Sequence, residues 1–322
     1  MRFADAALVL ATFAPIATGE DTCVDGSCAF AKAVLTNGVA MPWVGQGLAG
    51  MKGDTTAAAV RSHVAHGFRS LDGAQAKEWY DDKAAGFALR ALLDKTPGLV
   101  RSDFFIASKV HPAFLSRVEA SVQEMFSSWR LSWATDTMDL VYLHYPECGD
   151  WIPDCHGQPR GNWRDAWREL ERLYAGGKIR ALGVSNFSYE QLQELWAMAQ
   201  TPPHVVQMWM DPFHQAHLER SFVQSHGGVV VAYSSLGTQW QLPENPVLTH
   251  KTVVAIAAKR NVPAASVVLA YFLRIGVGVI PRSSTDEHIR SNARLLDPEY
   301  VAGLLDAVDM ATLAALDGTR PE

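Results

Sequence analysis

Residues 138–144 read MDLVYLH and residues 179–186 read IRALGVSN. Each segment is a short run of mainly apolar residues that ends in polar side chains, which is typical of a strand buried on both faces of a sheet. Between the two runs, the apolar residues of Trp163–Ala175 recur at steps of three and four, so this stretch is predicted to be a helix. The two runs and the helix therefore predict a strand–helix–strand unit with parallel strands.

The same alternation extends in both directions along the chain. Further strand-like runs are WVGQGL (43–48), GFRSLD (67–72), DFFIASK (103–109), HVVQMWM (204–210), GVVVAYS (228–234) and GVGVIPRS (276–283). Further predicted helices are Thr55–His66, Lys83–Leu93, Phe114–Arg130, Tyr189–Met198, Lys251–Arg260, Ala264–Arg274 and Asp286–Leu295. Eight strands alternating with helices predict an α/β fold, a (β/α)8 TIM barrel. An N-terminal β-hairpin precedes it, with a two-residue turn at Asn37-Gly38.

Composition excludes several classes of protein. The chain has 322 residues, 48% of them hydrophobic, and a net charge of −6. This composition is not that of a disordered chain, and a mildly acidic chain without a basic block is not expected to bind nucleic acid. No apolar run approaches the roughly 20 residues that span a bilayer, so no integral membrane segment is expected in the mature chain. We expect a monomer or weak oligomer.

The N-terminal residues 1–31 differ from the rest. A short apolar stretch, AALVLATFAP, follows one positive charge and precedes small residues, which predicts either a signal peptide or an unstructured extension. Two close pairs, Cys23 with Cys28 and Cys148 with Cys155, fit two disulfides in an oxidising compartment or free thiols in loops. The location is accordingly secretory or extracellular in the first case and cytoplasmic in the second. Residues 32–315 are predicted to form the barrel, and residues 316–322 a C-terminal tail.

Polar groups stand at the ends of most predicted strands, where barrel enzymes carry their active sites. They are Asp72, Lys109, His144, Ser185 with Asn186, Gln207, Tyr233, and Arg282 with Ser283. One such residue is usually a cap or a solvated charge. A series of them, converging on one mouth, indicates a binding site.

The segments that carry these residues resemble those of the aldo-keto reductases. The matching stretches are GFRSLDGAQA, FFIASKV, MDLVYLHYP, GKIRALGVSNFS, VVQMWMDPFHQ, VVVAYSSLG and VIPRSSTDEHIRSN, in family order over roughly residues 33–296. The resemblance implies hydride transfer from NADPH to the carbonyl of an aldehyde or ketone, with a tyrosine as proton donor. It assigns Lys109 to lower the pKa of that tyrosine, Asp72 to fix the lysine, and His144 to hydrogen-bond the carbonyl oxygen.

The tyrosine departs from the family pattern. Its usual place, five residues after Asp72, is taken by Lys77, and the loop is two residues longer than usual. Tyr80, eight residues after Asp72, is our candidate for the proton donor. An inward-pointing Lys77 would lower the pKa of that phenol further. The competing interpretation is that Tyr80 is a surface residue and the proton donor is missing.

The resemblance also implies the cofactor site. Ser185, Asn186 and Gln207 match residues that bind the nicotinamide carboxamide, and Tyr233 matches the residue that stacks on the ring. Leu236 is expected beside the pyrophosphate, with Arg282, Ser283, His288 and Asn292 at the adenosine end. Because His288 replaces a second arginine, we expect NADPH to be preferred and NADH also to be accepted.

Aromatic residues are the candidates for the substrate pocket. Trp43, Trp79 and Tyr145 are expected to line it, with Trp151 and Trp240 as further candidates. No metal site is expected, and His111, His156 and His214 are interpreted as surface residues. Two alternatives to an NADPH-dependent carbonyl reductase stay open. One is a catalytically weak, nicotinamide-cofactor-binding barrel with a redox-responsive regulatory or binding role. The other is a barrel with unrelated chemistry, such as a lyase.

Overall fold

The structure is a computed structural model that describes residues 32–152, 155 and 161–319. The predicted signal peptide and the Cys23 and Cys28 pair lie outside these residues. Two short antiparallel strands, β1 (Lys32–Val34) and β2 (Ala40–Pro42), form the predicted hairpin. Its loop has three residues rather than two, because the backbone N–H of Leu35 donates a hydrogen bond of 2.9 Å to the carbonyl oxygen of Val39. Gly38 takes the left-handed conformation, with φ +81°, that this longer loop requires.

Eight parallel strands form the barrel. They are β3 (Gln46–Gly47), β4 (Ser70–Asp72), β5 (Phe105–Val110), β6 (Leu140–Leu143), β7 (Leu182–Ser185), β8 (Val205–Trp209), β9 (Val229–Tyr233) and β10 (Val277–Val279). Neighbours in the sheet follow chain order from β3 to β10. The first and last strands meet through Gly45 N–H to Val279 O (2.9 Å) and Val279 N–H to Trp43 O (2.8 Å), which joins the two edges.

Helices follow the strands, as the apolar spacing predicts. They are α1 (Gly53–Ala65), α2 (Asp82–Lys95), α3 (Val118–Ser128), α4 (Trp163–Ala175), α5 (Tyr189–Met198), α6 (His217–Ser225), α7 (Lys251–Arg260), α8 (Ala264–Arg274), α9 (Asp286–Ala293), α10 (Pro298–Leu304) and α11 (Ala307–Ala314). Helix α3 starts four residues later than expected, because Pro112–Phe114 forms a separate 3₁₀ turn. Helices α6, α10 and α11 were not among the predicted helices.

The hairpin packs across the amino-terminal end of the barrel. Leu35 and Met41 belong to a buried cluster with Phe105, Leu140 and residues from the starts of later strands. Trp43 packs against this cluster and lines a small cavity inside the barrel, next to Met41. The expectation that Trp43 lines the substrate pocket is therefore wrong, because this residue stands at the beginning of its strand segment and active-site residues stand at the ends.

Among the described residues, no single helix has the length and hydropathy to cross a membrane. The consecutive helices α7 and α8 meet those criteria only as a pair, and they are bent by 93° relative to each other.

Candidate active site

A buried ion pair lies at the carboxyl end of strands β4 and β5. Lys109 Nζ contacts Asp72 Oδ1 and donates a hydrogen bond of 2.8 Å to the carbonyl oxygen of Gly73. Gln207 Nε2, at the same end of β8, donates to Asp72 Oδ2 at 2.8 Å. Lys109 is fully buried and Asp72 nearly so. Such a pair is tolerated in the interior because the remaining polar atoms also find partners.

A second carboxylate, which the sequence analysis missed, lies behind this pair. Asp82 Oδ2 accepts hydrogen bonds from Ser108 Oγ (2.7 Å) and Trp129 Nε1 (3.0 Å), and Oδ1 accepts from the backbone of Ala74 (3.1 Å). Burial raises the pKa of Asp82 to about 6, against the effect of these bonds. Gly73 is required beside it, because a Cβ there would lie 2.1 Å from Asp82 Oδ1. In the sequence, the two adjacent acidic residues Asp81 and Asp82 at the start of a helix could have indicated this carboxylate.

The lengthened loop brings Tyr80 to the ion pair. The ring of Tyr80 lies under the ammonium group of Lys109, 5.1 Å from Nζ to the centroid, and edge-on to His144 at 6.1 Å between centroids. Burial, followed by the charges of Asp72 and Asp82, raises the pKa of Tyr80 well above its ordinary value. The expectation of a lowered pKa is thus wrong for this structure. Lys77 is exposed rather than turned inward, so it adds no cation beside the phenol.

Backbone contacts hold this loop from one side. Lys52 Nζ donates to the carbonyl oxygen of Tyr80 at 2.9 Å and also contacts that of Lys77. The backbone N–H of Gly50 donates to the carbonyl oxygen of Trp79 at 2.6 Å. The segment from Lys77 to Tyr80 is therefore anchored to the loop that follows β3.

A buried histidine holds the loop from the other side. His111 Nδ1 accepts from the backbone N–H of Ala113 at 3.2 Å, so the ring proton lies on Nε2, which faces Glu78 Oε1 at 3.2 Å. His111 is 1% exposed, and the interpretation of this residue as a surface group is wrong. Glu78, two residues before Tyr80, is the partner that the remodelled loop provides. His214 is exposed, as expected, and His156 lies outside the described residues.

His144 is buried beside the ion pair in its neutral form. Burial, followed by the nearby charge of Lys109, lowers the pKa of His144 well below its ordinary value. Its Nδ1 atom is buried and has no hydrogen-bond partner. A neutral imidazole still carries one N–H, so His144 can donate a hydrogen bond to an oxygen in the site.

A cavity of about 250 Å³ opens at the barrel mouth next to these groups. Asp72 and Tyr80 line one end, and Tyr233, Leu236 and Arg282 line the rest. Its other lining residues are Gly47, Ala49, Ser234, Ser235, Thr238, Leu269, Ile280 and Pro281. Ser235 Oγ is buried there without a partner. The cavity joins a reactive end to a cationic end, and this arrangement fits a phosphate-bearing cofactor such as a nicotinamide dinucleotide.

Ser185 and Asn186, two of the three residues predicted to bind the carboxamide, form a connected group with Tyr233, the predicted stacking residue, whereas the third, Gln207, bonds Asp72. Tyr233 Oη donates to Asn186 Oδ1 at 2.6 Å, and Asn186 Nδ2 donates to the carbonyl oxygen of His144 at 2.9 Å and to Ser185 Oγ at 3.1 Å. Asn186 adopts a left-handed backbone conformation, with φ +62°, which an asparagine tolerates better than most residues. The structure thus brings Ser185, Asn186 and Tyr233 together beside His144.

The residues predicted for the adenosine end follow β10. Arg282 is exposed, and its Nη1 atom donates to the carbonyl oxygen of Ala49 at 3.3 Å. Ser283 Oγ pairs with the backbone of Thr285, at 3.3 Å to the oxygen and 3.1 Å from the N–H. His288 is exposed on α9, whereas Asn292 is buried on the same helix. Of this group, Arg282 alone lines the described cavity.

Aromatic side chains pack around His144. Tyr145 stacks on His144 with centroids 4.7 Å apart, and Trp79 meets His144 edge-on at 6.2 Å. Trp151 stacks on Trp79 at 5.8 Å and meets Tyr145 edge-on at 5.1 Å. Two of the three predicted pocket residues, Trp79 and Tyr145, are therefore placed here. Trp240 is elsewhere and donates to Asp211 Oδ2 at 2.8 Å.

A disulfide stands next to these rings. Cys148 and Cys155 are bonded, with Cα atoms 5.6 Å apart. Cys155, Ile152 and Ala113 form a small buried cluster against which Trp79 and Tyr145 pack. One of the two predicted cysteine pairs is thus a disulfide, and it lies in the loop that carries Trp151.

The matching family model is that of the aldo/keto reductase family, and it covers residues 40–313. The chain belongs to the aldo/keto reductase family. It is 31% identical to a glyoxal reductase of Bacillus subtilis over 295 residues, which is 89% of this chain and 95% of that protein. It is also 31% identical to an NAD(P)H-dependent D-xylose reductase of Scheffersomyces stipitis over 312 residues, 88% of this chain and 93% of that protein.

Solved structures agree with this membership. An aldose reductase from Schistosoma japonicum is similar with a TM-score of 0.77 and 27% identity, over 90% of this chain and 93% of that chain. Within the described ranges, no group of three or more His, Cys, Asp or Glu side chains is arranged to hold a metal ion.

Proposed function

We propose that this aldo/keto reductase is an NADPH-dependent reductase of aldehydes or ketones and that Tyr80 is its proton donor. The observation that carries the proposal is the position of Tyr80, whose ring lies against Lys109 and His144 despite the altered loop. A nicotinamide cofactor bound at the mouth supplies the hydride. The names of the relatives, a glyoxal reductase and NAD(P)H-dependent xylose reductases, support carbonyl reduction.

The side chains of this chain handle the proton and the developing negative charge. Tyr80 is protonated at neutral pH, as an ordinary phenol is, and the raised pKa keeps it so; it therefore holds the proton that the reduced carbonyl oxygen takes. His144 donates its N–H to that oxygen as charge develops. Lys109 stabilises the phenolate that remains after proton transfer, and Asp72 with Gln207 keeps Lys109 in place. The cation therefore acts more strongly after the transfer than before it, which is the condition for catalysis.

The cofactor would lie along the cavity from Tyr80 to Arg282. Tyr233 faces the nicotinamide end, and Ser185, Asn186 and Gln207 supply amide and hydroxyl groups for its carboxamide. Leu236 and Ser235 line the middle, and Arg282 with Ser283, His288 and Asn292 receives the adenosine end. Because Arg282 is the one arginine of that last group and His288 stands where the resemblance implies a second, NADPH is preferred and NADH is also used.

The deciding experiment is NADPH oxidation by Tyr80→Phe with glyoxal and an aromatic aldehyde as substrates. Loss of a general acid costs about 10² to 10⁴ in rate, so we expect kcat to fall at least 100-fold while NADPH fluorescence titration gives an unchanged Kd. Tyr189→Phe, on the outer helix α5, is the matched control and retains wild-type kcat. Unchanged reduction by Tyr80→Phe would refute the assignment.

The wild-type chain tests the alternative function in the same assay. A regulatory barrel without a proton donor would quench or shift NADPH fluorescence but turn over no carbonyl compound. NADPH binding without turnover would replace the reductase proposal with the regulatory function, because it separates cofactor binding from catalysis.

We also propose that the chain matures in an oxidising compartment. The apolar N-terminal stretch and the Cys148–Cys155 disulfide support this. Mass spectrometry of the native protein tests it: loss of the N-terminal residues together with an oxidised Cys148–Cys155 pair is expected. An intact N-terminus with both thiols reduced would point to the cytoplasm instead.

A further inference from the structure

Trp151 is unusual among the large apolar side chains near the mouth, because 60% of its surface is exposed. An exposed tryptophan is normally free to move, yet this one is held by two rings, Trp79 and Tyr145. The three residues Trp79, Tyr145 and Trp151, termed here the aromatic platform, adjoin His144 through both Tyr145 and Trp79. One side of the site is therefore aromatic, and Trp151 is the member of the platform whose ring is most open to solvent.

The position of Trp151 depends on the short turn that the disulfide closes. The N–H of Ile152 donates to the carbonyl oxygen of Gly149 at 3.0 Å, and the N–H of Cys155 donates to that of Ile152 at 3.0 Å. The indole of Trp151 lies across Gly149, where a Cβ would come within 2.4 Å of Nε1. The close approach of the indole leaves no room for a side chain at position 149, and the Cys148–Cys155 bond closes the turn that carries Trp151.

The charges around the platform disfavour an anionic ligand. Burial raises the pKa of Tyr145 to about 12, so its phenol is neutral, and His144 is neutral as well. Glu78 is paired with His111 and mostly buried. Glu147 and Asp150, which flank Cys148, are exposed and would repel an anionic substrate. Flat, neutral rings gain most from stacking on such a surface.

We propose that Trp151 is a specificity-determining residue for neutral aromatic aldehydes and that the Cys148–Cys155 disulfide holds it in that role. The inference rests on the proposed reductase activity and names its substrate class. An aromatic aldehyde places its ring on the platform while its carbonyl group reaches His144 and Tyr80. A small dialdehyde such as glyoxal has no ring to stack and is insensitive to the platform.

Reduction of the disulfide by a dithiol is a balanced exchange. A thiolate of the dithiol attacks the sulfur of Cys148, which is the partly exposed member of the pair, and Cys155 leaves as a thiolate. The second thiol of the reagent then closes its own disulfide, so two electrons pass to the protein and two cysteine thiols form. The turn loses its covalent closure, and Trp151 leaves Trp79.

The test compares kcat/KM for 4-nitrobenzaldehyde and glyoxal before and after dithiol treatment of the full chain. A stacked aromatic pair is worth about one factor of ten, so the ratio of the two values should fall about tenfold on reduction and in Trp151→Ala. Gly149→Ala should also lower the ratio of kcat/KM for 4-nitrobenzaldehyde to that for glyoxal. Trp151→Phe should retain most of the wild-type ratio. An identical ratio in oxidised and reduced enzyme would overturn the proposal.

Two cysteine variants separate the disulfide from the other thiols. Cys148→Ser/Cys155→Ser should have the low ratio without any treatment, and the dithiol should not change it. In Cys23→Ser/Cys28→Ser the dithiol should lower the ratio as it does in the wild type. Leu218→Ala, an exposed residue on α6, is the control for a surface apolar group. If reduction abolishes NADPH binding together with both activities, the disulfide stabilises the whole fold rather than the position of Trp151, and the proposal fails.

Failure of the reductase activity itself would be seen separately. If the oxidised enzyme reduces neither aldehyde, the proposed function is wrong, but tryptophan fluorescence still reports the platform. Quenching by 4-nitrobenzaldehyde should then be stronger in the oxidised chain than in the reduced chain. Equal quenching in both states would also refute the role of the disulfide.

Discussion

The ammonium group of Lys109 lies 5.1 Å from the ring centroid of Tyr80, over the face of the phenol. A second ring, that of Tyr142, lies 5.7 Å from the same nitrogen. This buried cation is compensated by Asp72, by the carbonyl oxygen of Gly73 and by the electron-rich faces of two rings. A phenolate formed at Tyr80 would therefore arise beside a charge that is already desolvated and fixed.

Neutralising the partner of that cation should be costly for both stability and activity. Asp72→Asn leaves Lys109 buried without its counter-charge, so we expect the free energy of unfolding to fall by about 3–5 kcal/mol. Urea unfolding of wild type and variant measures this. Asp54→Asn, at the exposed start of α1, should change stability by no more than a few tenths of a kcal/mol. A loss below 1 kcal/mol in Asp72→Asn would contradict the buried ion pair.

The pH profile should show no protonation of His144 in the ordinary histidine range. Because burial lowers the pKa of His144, the folded protein carries it neutral from pH 8 down past pH 6.5, and the kcat lost by His144→Ala should be the same at both pH values. His144→Gln retains an N–H donor and should lose less activity than His144→Ala. A parallel loss in the two variants would show that hydrogen-bond donation is not its role.

The lowered pKa of His144 also predicts how the stability of the protein changes with pH. An unfolded histidine binds a proton near pH 6.5 and the folded one does not, so His144 lowers the free energy of unfolding as pH falls below that value.

Asp82 should lower the free energy of unfolding as pH rises, whereas His144 lowers it as pH falls. Its pKa rises from 3.8 in the unfolded chain to about 6 in the folded chain, so the folded state binds the proton more tightly. Stability from this group is complete below pH 4 and is lost as pH rises through 6, by about 3 kcal/mol. The difference in unfolding free energy between wild type and Asp82→Asn should vary with pH between 4 and 6. A flat difference would contradict the raised pKa.

Cofactor preference should depend on Arg282. Removing one charge-assisted contact to a phosphate costs about 1.5–3 kcal/mol, so Arg282→Met should raise the KM for NADPH at least tenfold and that for NADH much less. His288→Arg should move the preference the other way. Lys95→Met, at the far end of α2, is the control for loss of a surface cation. Equal effects on both cofactors would remove Arg282 from 2′-phosphate recognition.

The strand ends could be predicted from the sequence because their pattern is local. Short apolar runs ending in Asp72, Lys109, His144 and Gln207 indicate both the barrel and its mouth, and the structure places these four side chains together. The mistakes come from contacts that no local pattern contains. The direction of the pKa shift of Tyr80 depends on its burial and on Asp82, which arrives from the next helix.

Residues at the edges of elements were the hardest to place. Trp43 was assigned to the pocket because it is aromatic and near a strand, but its position at the start of that strand sends it to the opposite end of the barrel. The lack of metal-ligand spacing around His111 suggests a surface residue, but His111 is buried against Glu78, which lies in the atypical loop. Neither outcome follows from periodicity, since each depends on where the chain turns next.

The hairpin of β1 and β2 has a consequence for truncation. Leu35 and Met41 of the hairpin pack with Phe105 and Leu140 at the amino-terminal end of the barrel. A chain cut just before β3 would expose these apolar side chains to water, so the two short strands belong to the folding unit although they lie outside the eight-stranded sheet.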